Sequence, residues 1–101
     1  YQLCAAEYQQ AVRLRPQGSE IYVKMARCFR LAGNLDAAAS MINKAAEQES
    51  GEPEVWKERA LIFETRGESV LAIEAYQQYL VLAPNAADRA QVEGRISSLS
   101  Q

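Results

Sequence analysis

The sequence contains no histidine, and only 2 of its 101 residues are cysteine. Histidine is the commonest metal ligand and the commonest general base, so its absence removes the usual starting points for metal binding and acid–base catalysis. Cys4 and Cys28 are too few for a disulfide scaffold and lack the spacing of a zinc site. We therefore expect no metal and no cofactor. We interpret both cysteines as buried small hydrophobic residues, although the spacing alone does not establish whether they pair.

Long hydrophobic runs and an excess of basic residues are also missing. No stretch approaches the roughly 20 consecutive apolar residues of a membrane span, so membrane insertion is not expected. The 11 basic and 13 acidic residues give a net charge of −2, which does not favour binding to the phosphates of nucleic acids. The chain carries no targeting signal, and cytoplasm is the default location for a protein with reduced cysteines.

The residues that are present have the composition of an average globular protein, with 49% apolar and 24% charged residues. Their strongest pattern is a repetition of residue types at an offset of 34 positions. The offset pairs aromatic or large apolar residues, alanines and glycines with residues of the same type: Tyr22 with Trp56, Ala26 with Ala60, Phe29 with Phe63, Gly33 with Gly67, Ala38 with Ala72, and Ile42 with Tyr76. The chain is therefore expected to repeat one structural unit.

Within each unit the apolar residues recur every three or four positions, which predicts two amphipathic helices. Gly33 and Gly67 would end the first helix of each unit. Asn34 can cap the helix that follows Gly33, and Pro53 suits a first helical turn. Asp88 begins a last segment in which only Val92, Ile96 and Leu99 form an apolar stripe, as expected for a polar end cap.

A 34-residue unit with an aromatic residue, a small residue four positions later, a second aromatic residue, a glycine, an alanine and a closing proline resembles the tetratricopeptide repeat. The resemblance implies an all-α protein, a right-handed α-solenoid of antiparallel helix pairs with six helices in one domain over residues 1–101. It divides the chain into the second helix of a partial repeat (1–18), two repeats (19–52 and 53–86) and a C-terminal capping helix (87–101). Because the frame begins in the middle of a repeat, we expect a fragment of a longer chain.

The same resemblance implies a non-catalytic scaffold for protein–protein interaction. In this family the first helices of successive repeats line a concave groove that holds a peptide or partner protein. The positions that usually face the groove are mixed in charge and include two apolar residues. They are Glu20, Val23, Arg27, Arg30, Glu54, Lys57, Leu61, Glu64, Gln91 and Arg95, with Asp88 and Ser98 as further contributions of the cap.

The best-known ligands of the family are acidic C-terminal tails of heat-shock chaperones, held by a clamp of Lys, Asn and Arg. Val23 stands where the first clamp Lys is expected and Arg27 where its Asn is expected, while Glu58 and Glu64 would repel a carboxylate. We therefore expect a peptide of mixed charge with an apolar anchor against Leu61 and Val23.

Two alternatives from other functional classes stay open. The first is a structural module that self-associates through the apolar face of the N-terminal helix. The second is a regulatory appendage of an enzyme encoded elsewhere in the full-length chain. No activated nucleophile, metal cluster or phosphate loop is apparent, so the chain itself is not expected to be an enzyme.

Overall fold

The computed structural model describes residues 19–48 and 51–101, and these residues form five α-helices and no strand. The helices are α1 (Ser19–Leu31), α2 (Leu35–Gln48), α3 (Pro53–Thr65), α4 (Ser69–Leu82) and α5 (Arg89–Leu99). The predicted all-α class is confirmed. The sixth predicted helix, over residues 1–18, lies outside the described residues.

One glycine ends the first helix of each repeat, as the sequence predicts. Gly33 and Gly67 have φ angles of +87° and +82°, a left-handed conformation that is costly for residues with a Cβ. Around Gly33 the amide of Asn34 donates to the carbonyl of Phe29 at 2.8 Å, and the amide of Gly33 donates to that of Arg30 at 3.0 Å. The turn at Gly67 has the same two hydrogen bonds, so both helices end in a Schellman motif.

The predicted helix starts are also found. The Asn34 side-chain oxygen accepts a hydrogen bond from the amide of Ala37 at 3.3 Å, which caps α2. Pro53 is the first residue of α3, where its missing N–H leaves no intrahelical hydrogen bond unmade.

The chain divides into two compact units, residues 1–50 and 51–101. In the first unit α1 packs against α2. Ala26 and Ala38 are completely buried there, as expected for small residues that allow two helix backbones to approach closely. Tyr22, Met25 and Ile42 complete the apolar faces.

In the second unit α3 packs against α4, and α4 packs against α5. Val92 of α5 is buried with residues of α3 and α4 in one cluster, and Ile96 and Leu99 pack against this cluster with part of their surface exposed. The predicted apolar stripe of the end cap therefore faces the core. The other members of the cluster are Ala60, Ala75, Tyr76 and Tyr79.

Arg59 of α3 lies close to two aromatic rings of the same helix. Its guanidinium carbon lies 5.5 Å from the ring centre of Trp56 and 5.2 Å from that of Phe63, within the range of a cation–π interaction. Partial burial lowers the pKa of Arg59.

Cys28 is buried as predicted, and the structure answers the question of pairing that the sequence left open. It is disulfide-bonded and not a reduced thiol. The repeat frame assigns each cysteine a helix position without giving the distance between helices, so it could not predict this bond. The second cysteine, Cys4, lies outside the described residues. Cytoplasm was expected because the cysteines were taken to be reduced, and a disulfide at Cys28 does not meet that condition.

Candidate functional site

An open pocket of about 520 Å³ lies in the second unit, where side chains of α3, α4 and α5 meet. Four of the residues that line it are among the predicted groove positions: Lys57, Leu61, Gln91 and Arg95. The structure thus brings together part of the set that the repeat frame marks on α3 and α5. Asp88, one of the two further positions predicted for the cap, also lines it, and the remaining lining residues are Tyr76, Val92 and Gly94.

One ion pair lies at the start of α5. The ammonium of Lys57 donates a hydrogen bond to Oδ2 of Asp88, and the hydroxyl of Tyr79 donates to Oδ1 of the same carboxylate at 2.7 Å. The Lys57 nitrogen also lies 5.8 Å from the centre of the Tyr79 ring. Asp88 precedes the first residue of α5, but its side chain makes no hydrogen bond to that helix terminus. Its carboxylate joins α3 and α4 instead.

These contacts shift two pKa values in opposite directions. The hydrogen bonds from Lys57 and then from Tyr79 lower the pKa of Asp88, because both stabilise its charged form. Burial, followed by the hydrogen bond to Asp88 and the negative charges of Asp88 and Glu54, raises the pKa of Tyr79 to about 12. The site therefore holds an ionised Asp88 and a protonated Tyr79 over the whole range in which proteins normally function.

A second ion pair lies about two turns further along α3 and α5. Arg95 donates from Nε to Oε1 of Glu64 at 3.2 Å and from Nη2 to Oε2, which is the two-pronged geometry that favours Arg–carboxylate pairs. The hydroxyl of Tyr76 donates to Oε1 of Glu64 at 2.8 Å. Each carboxylate of the site is thus bound by one cation and one tyrosine of α4.

The cations of the two pairs are more exposed than the carboxylates. The side chain of Lys57 is 36% exposed against 19% for Asp88, and that of Arg95 is 51% exposed against 19% for Glu64. Each pair is neutral as a whole, but its positive member lies nearer to solvent. The more exposed side chain of each pair is therefore the cation, and the more shielded one is the carboxylate.

The other predicted groove residues take different positions. Glu54 is exposed on α3, and in the first unit Glu20 and Arg27 are exposed while Arg30 is half-buried. Val23 is buried, with only 4% of its surface exposed, so its side chain offers a ligand little area. The expected apolar anchor against Val23 is therefore not supported by the surface of this residue.

Sequence reasoning missed the parts of the site that long-range contacts create. Tyr76 and Tyr79 are buried in the core, and nothing in their spacing indicates that their hydroxyls bind Glu64 and Asp88. One signal was available: each ion pair joins residues of opposite charge 31 positions apart, close to one repeat length. Gly94 was also missed as a lining residue.

No group of three or more Cys, Asp or Glu side chains within residues 19–48 and 51–101 is arranged to hold a metal ion. In the same ranges no helix is both long enough and apolar enough to span a membrane.

The chain is similar to known proteins both in family and in fold. The family model described as Tetratricopeptide repeat matches residues 2–62. No curated protein matches the chain.

Several solved structures are similar to the chain. The first tetratricopeptide repeat domain of Spaghetti (RPAP3), bound to the HSP90 peptide SRMEEVD, has a TM-score of 0.85 at 15% identity over 96% of this chain and 78% of that one. PcrH in complex with the chaperone-binding region of PopD has a TM-score of 0.84 at 14% identity, over 95% and 75% of the two chains. The Yersinia enterocolitica type III secretion chaperone SycD, with a peptide of the translocator YopD, has a TM-score of 0.79 at 20% identity, over 94% and 72%. At these identities the likeness is one of fold.

Proposed function

The chain belongs to the tetratricopeptide repeat family, and on this premise we propose that it is a non-catalytic scaffold that holds a peptide segment of a partner protein in the pocket between α3 and α5. The observation that carries the proposal is the pocket itself, since four of its lining residues occupy groove positions of the family. The similar structures that hold peptides or a binding region of another protein add support at the level of the fold.

The pocket has the composition of a site for one apolar side chain. Leu61 supplies the accessible apolar surface, while Val92 and Tyr76 line the pocket but are only 3% and 2% exposed, and Lys57 and Arg95 supply hydrogen-bond donors at the rim. Burying one Leu-sized or Phe-sized side chain contributes roughly 1.5–3 kcal/mol, and a few polar groups around it fix the orientation of the ligand. Such a site binds weakly alone and gains affinity from contacts along the rest of a peptide.

The acidic tail of a heat-shock chaperone is not the ligand we propose. The clamp lysine that this ligand requires is replaced by Val23, which is buried. Glu64, which was expected to repel a carboxylate, is engaged by Arg95 and Tyr76. The pocket is therefore neither a complete clamp nor a site closed to acidic groups.

Selection from a random peptide library displayed on phage, with the purified protein as bait, tests the proposal. Selected peptides should bind the protein and lose at least about tenfold in affinity to Leu61→Asp, which places a charge in the apolar wall. Val70→Asp is the matched control, because Val70 is 70% exposed and does not line the pocket. Circular dichroism would verify that both variants fold.

The proposal would be wrong if no peptide is enriched. It would also be wrong if the enriched peptides bind Leu61→Asp as tightly as they bind the unaltered protein.

A further inference from the structure

We infer that the pocket selects an internal, extended peptide segment that carries an apolar side chain with an acidic side chain two residues away on either side. The inference depends on the proposed function and adds the chemistry of the ligand. Four observations carry it: the exposure of the cations, their unused donors, their spacing and the open space at Gly94.

The electrostatic surface of the pocket favours an acidic ligand. The side chains of both carboxylates are less exposed than those of their cations, at 19%, whereas the side chains of Lys57 and Arg95 are 36% and 51% exposed. A ligand that approaches from solvent therefore meets the cations first. A basic group would have to displace Lys57 or Arg95 to reach either carboxylate, which disfavours it.

The hydrogen-bond donors at the rim also favour an acidic ligand. Lys57 directs one of its three N–H donors to Asp88, and Arg95 directs two of its five to Glu64. Asp88 already accepts from Lys57 and Tyr79. Glu64 likewise accepts from Arg95 and Tyr76. The donors that the two cations do not use are thus available to oxygen atoms of a ligand, and each can hold one carboxylate.

The spacing of the two pairs sets the spacing of the acidic groups. Lys57 and Glu64 are seven residues apart on α3, which is about 10 Å along a helix. In an extended peptide, side chains that share a face occur every second residue, and residues i and i+4 are about 13 Å apart. The difference of about 3 Å is within the reach of flexible Lys and Arg side chains. The residue at i+2 then faces the pocket between the two cations.

This arrangement does not require a free C-terminus. The two cations are separate, and each already shares its charge with a carboxylate beneath it. The site therefore provides one partly compensated cation for each of two side chains and no concentrated positive charge for a terminal carboxylate. An internal segment of a partner protein can supply both of the side-chain carboxylates that the two cations would bind.

Gly94 provides a way to close the pocket without touching the ion pairs. It lies inside α5, and a Cβ added there would have no protein atom within 4 Å other than its immediate neighbours. Because Gly94 lines the pocket, a leucine there would add side-chain volume at the pocket wall, and its Cβ would meet no packed neighbour. Gly94→Leu is expected to retain the fold and to obstruct an apolar ligand side chain.

Synthetic peptides with an acetylated N-terminus and an amidated C-terminus test the inference by fluorescence anisotropy. The reference peptide has the core Glu-Ser-Leu-Ser-Glu, and its partners replace both Glu residues with Gln or one Glu with Lys in either order. We expect the Gln peptide to bind about tenfold more weakly than the reference, from about 0.7 kcal/mol for each charged contact. Added salt should reduce this difference. Gly94→Leu should weaken the reference peptide at least tenfold.

The double variant Glu64→Arg with Arg95→Glu is the sharpest control, because it keeps an ion pair at this place and reverses its exposed charge. It should weaken the reference peptide severalfold and prefer one of the two Glu/Lys peptides over the other. That preference would also report the direction of the bound segment.

Two results would overturn the inference. If the Gln peptide binds as tightly as the reference, the acidic flanks have no role and the proposed peptide-binding function still holds. If a peptide with a free C-terminal carboxylate directly after the leucine binds at least tenfold more tightly than the capped reference, the site recognises a chain end. Failure of the proposed function itself would appear separately, as a library that yields no peptide sensitive to Leu61→Asp.

Discussion

Two tyrosine hydroxyls of α4 hold the carboxylates beneath the pocket. Tyr79 donates to Asp88 and Tyr76 donates to Glu64, while the rings of both tyrosines lie in the apolar cluster. A carboxylate at 19% exposure has lost much of its hydration, and each hydroxyl replaces part of it. At the scale of single residues, the orientation of Lys57 and Arg95 therefore depends on two core residues of α4.

The Tyr79 hydroxyl can be tested through its effect on stability. Tyr79→Phe should lower the free energy of unfolding by about 1–2 kcal/mol near pH 7, because Asp88 loses one of its two donors. The difference should shrink as the pH rises from 10 to 12. Tyr79 has a pKa of about 12 in the folded state, against 10.0 for an unperturbed tyrosine, so the unfolded state binds fewer protons in this window. Between pH 10 and 12, the titration of Tyr79 therefore lowers the free energy of unfolding of the unaltered protein and has no counterpart in Tyr79→Phe.

Urea unfolding of both proteins at a series of pH values measures this difference. A difference that stays constant from pH 8 to pH 12 would show that the hydroxyl of Tyr79 is not the group that titrates. The other tyrosines are present in both proteins, and their titration cancels in the comparison.

At the scale of the elements, the helix ends are the best-predicted part of the structure. Asn34, Pro53 and the two glycines act locally, through their own backbone angles and nearby hydrogen bonds, so the sequence around them is sufficient information. The apolar stripe of α5 follows from a period of three to four residues for the same reason.

The site was less predictable than the helices that carry it. The groove positions on α3 and α5 could be assigned from the repeat frame, and four of them do line one pocket. The frame could not indicate that Lys57 pairs with Asp88 or that Arg95 pairs with Glu64. Each pairing depends on the distance between two helices, and the paired residues are 31 positions apart in sequence. It also gave Val23 and Leu61 equal weight, although burial separates them.

Replacing glycine with alanine should change the free energy of unfolding in opposite directions at two positions, one inside a helix and one just after a helix. Gly94→Ala should raise the free energy of unfolding by about 0.5–1 kcal/mol, because alanine favours the helix and the added Cβ meets no neighbour. Gly67→Ala should lower it by about 1 kcal/mol or more, because the φ of +82° is unfavourable for alanine. Thermal unfolding of both variants measures the two shifts. A loss of stability in Gly94→Ala would mean that α5 packs differently from the structure described.

At the scale of the whole molecule, the question is whether one chain or an assembly presents the binding surface. A scaffold that binds through the pocket of a single chain should keep the mass of one chain, 11.2 kDa, in light scattering over a tenfold range of concentration. Mass that grows with concentration would favour the self-association alternative, which was predicted to use the face of residues 1–18. Those residues lie outside the described part, so this alternative remains a prediction.

The most direct test of the account is a map of amide chemical shifts in ¹⁵N-labelled protein as a library-selected peptide is added. We predict that the largest changes fall on the pocket, at Lys57, Leu61, Gln91, Gly94 and Arg95. Changes concentrated on the exposed residues of α4 that do not line the pocket, Val70, Glu74 and Gln77, would contradict the account, because the ligand would then occupy a different surface.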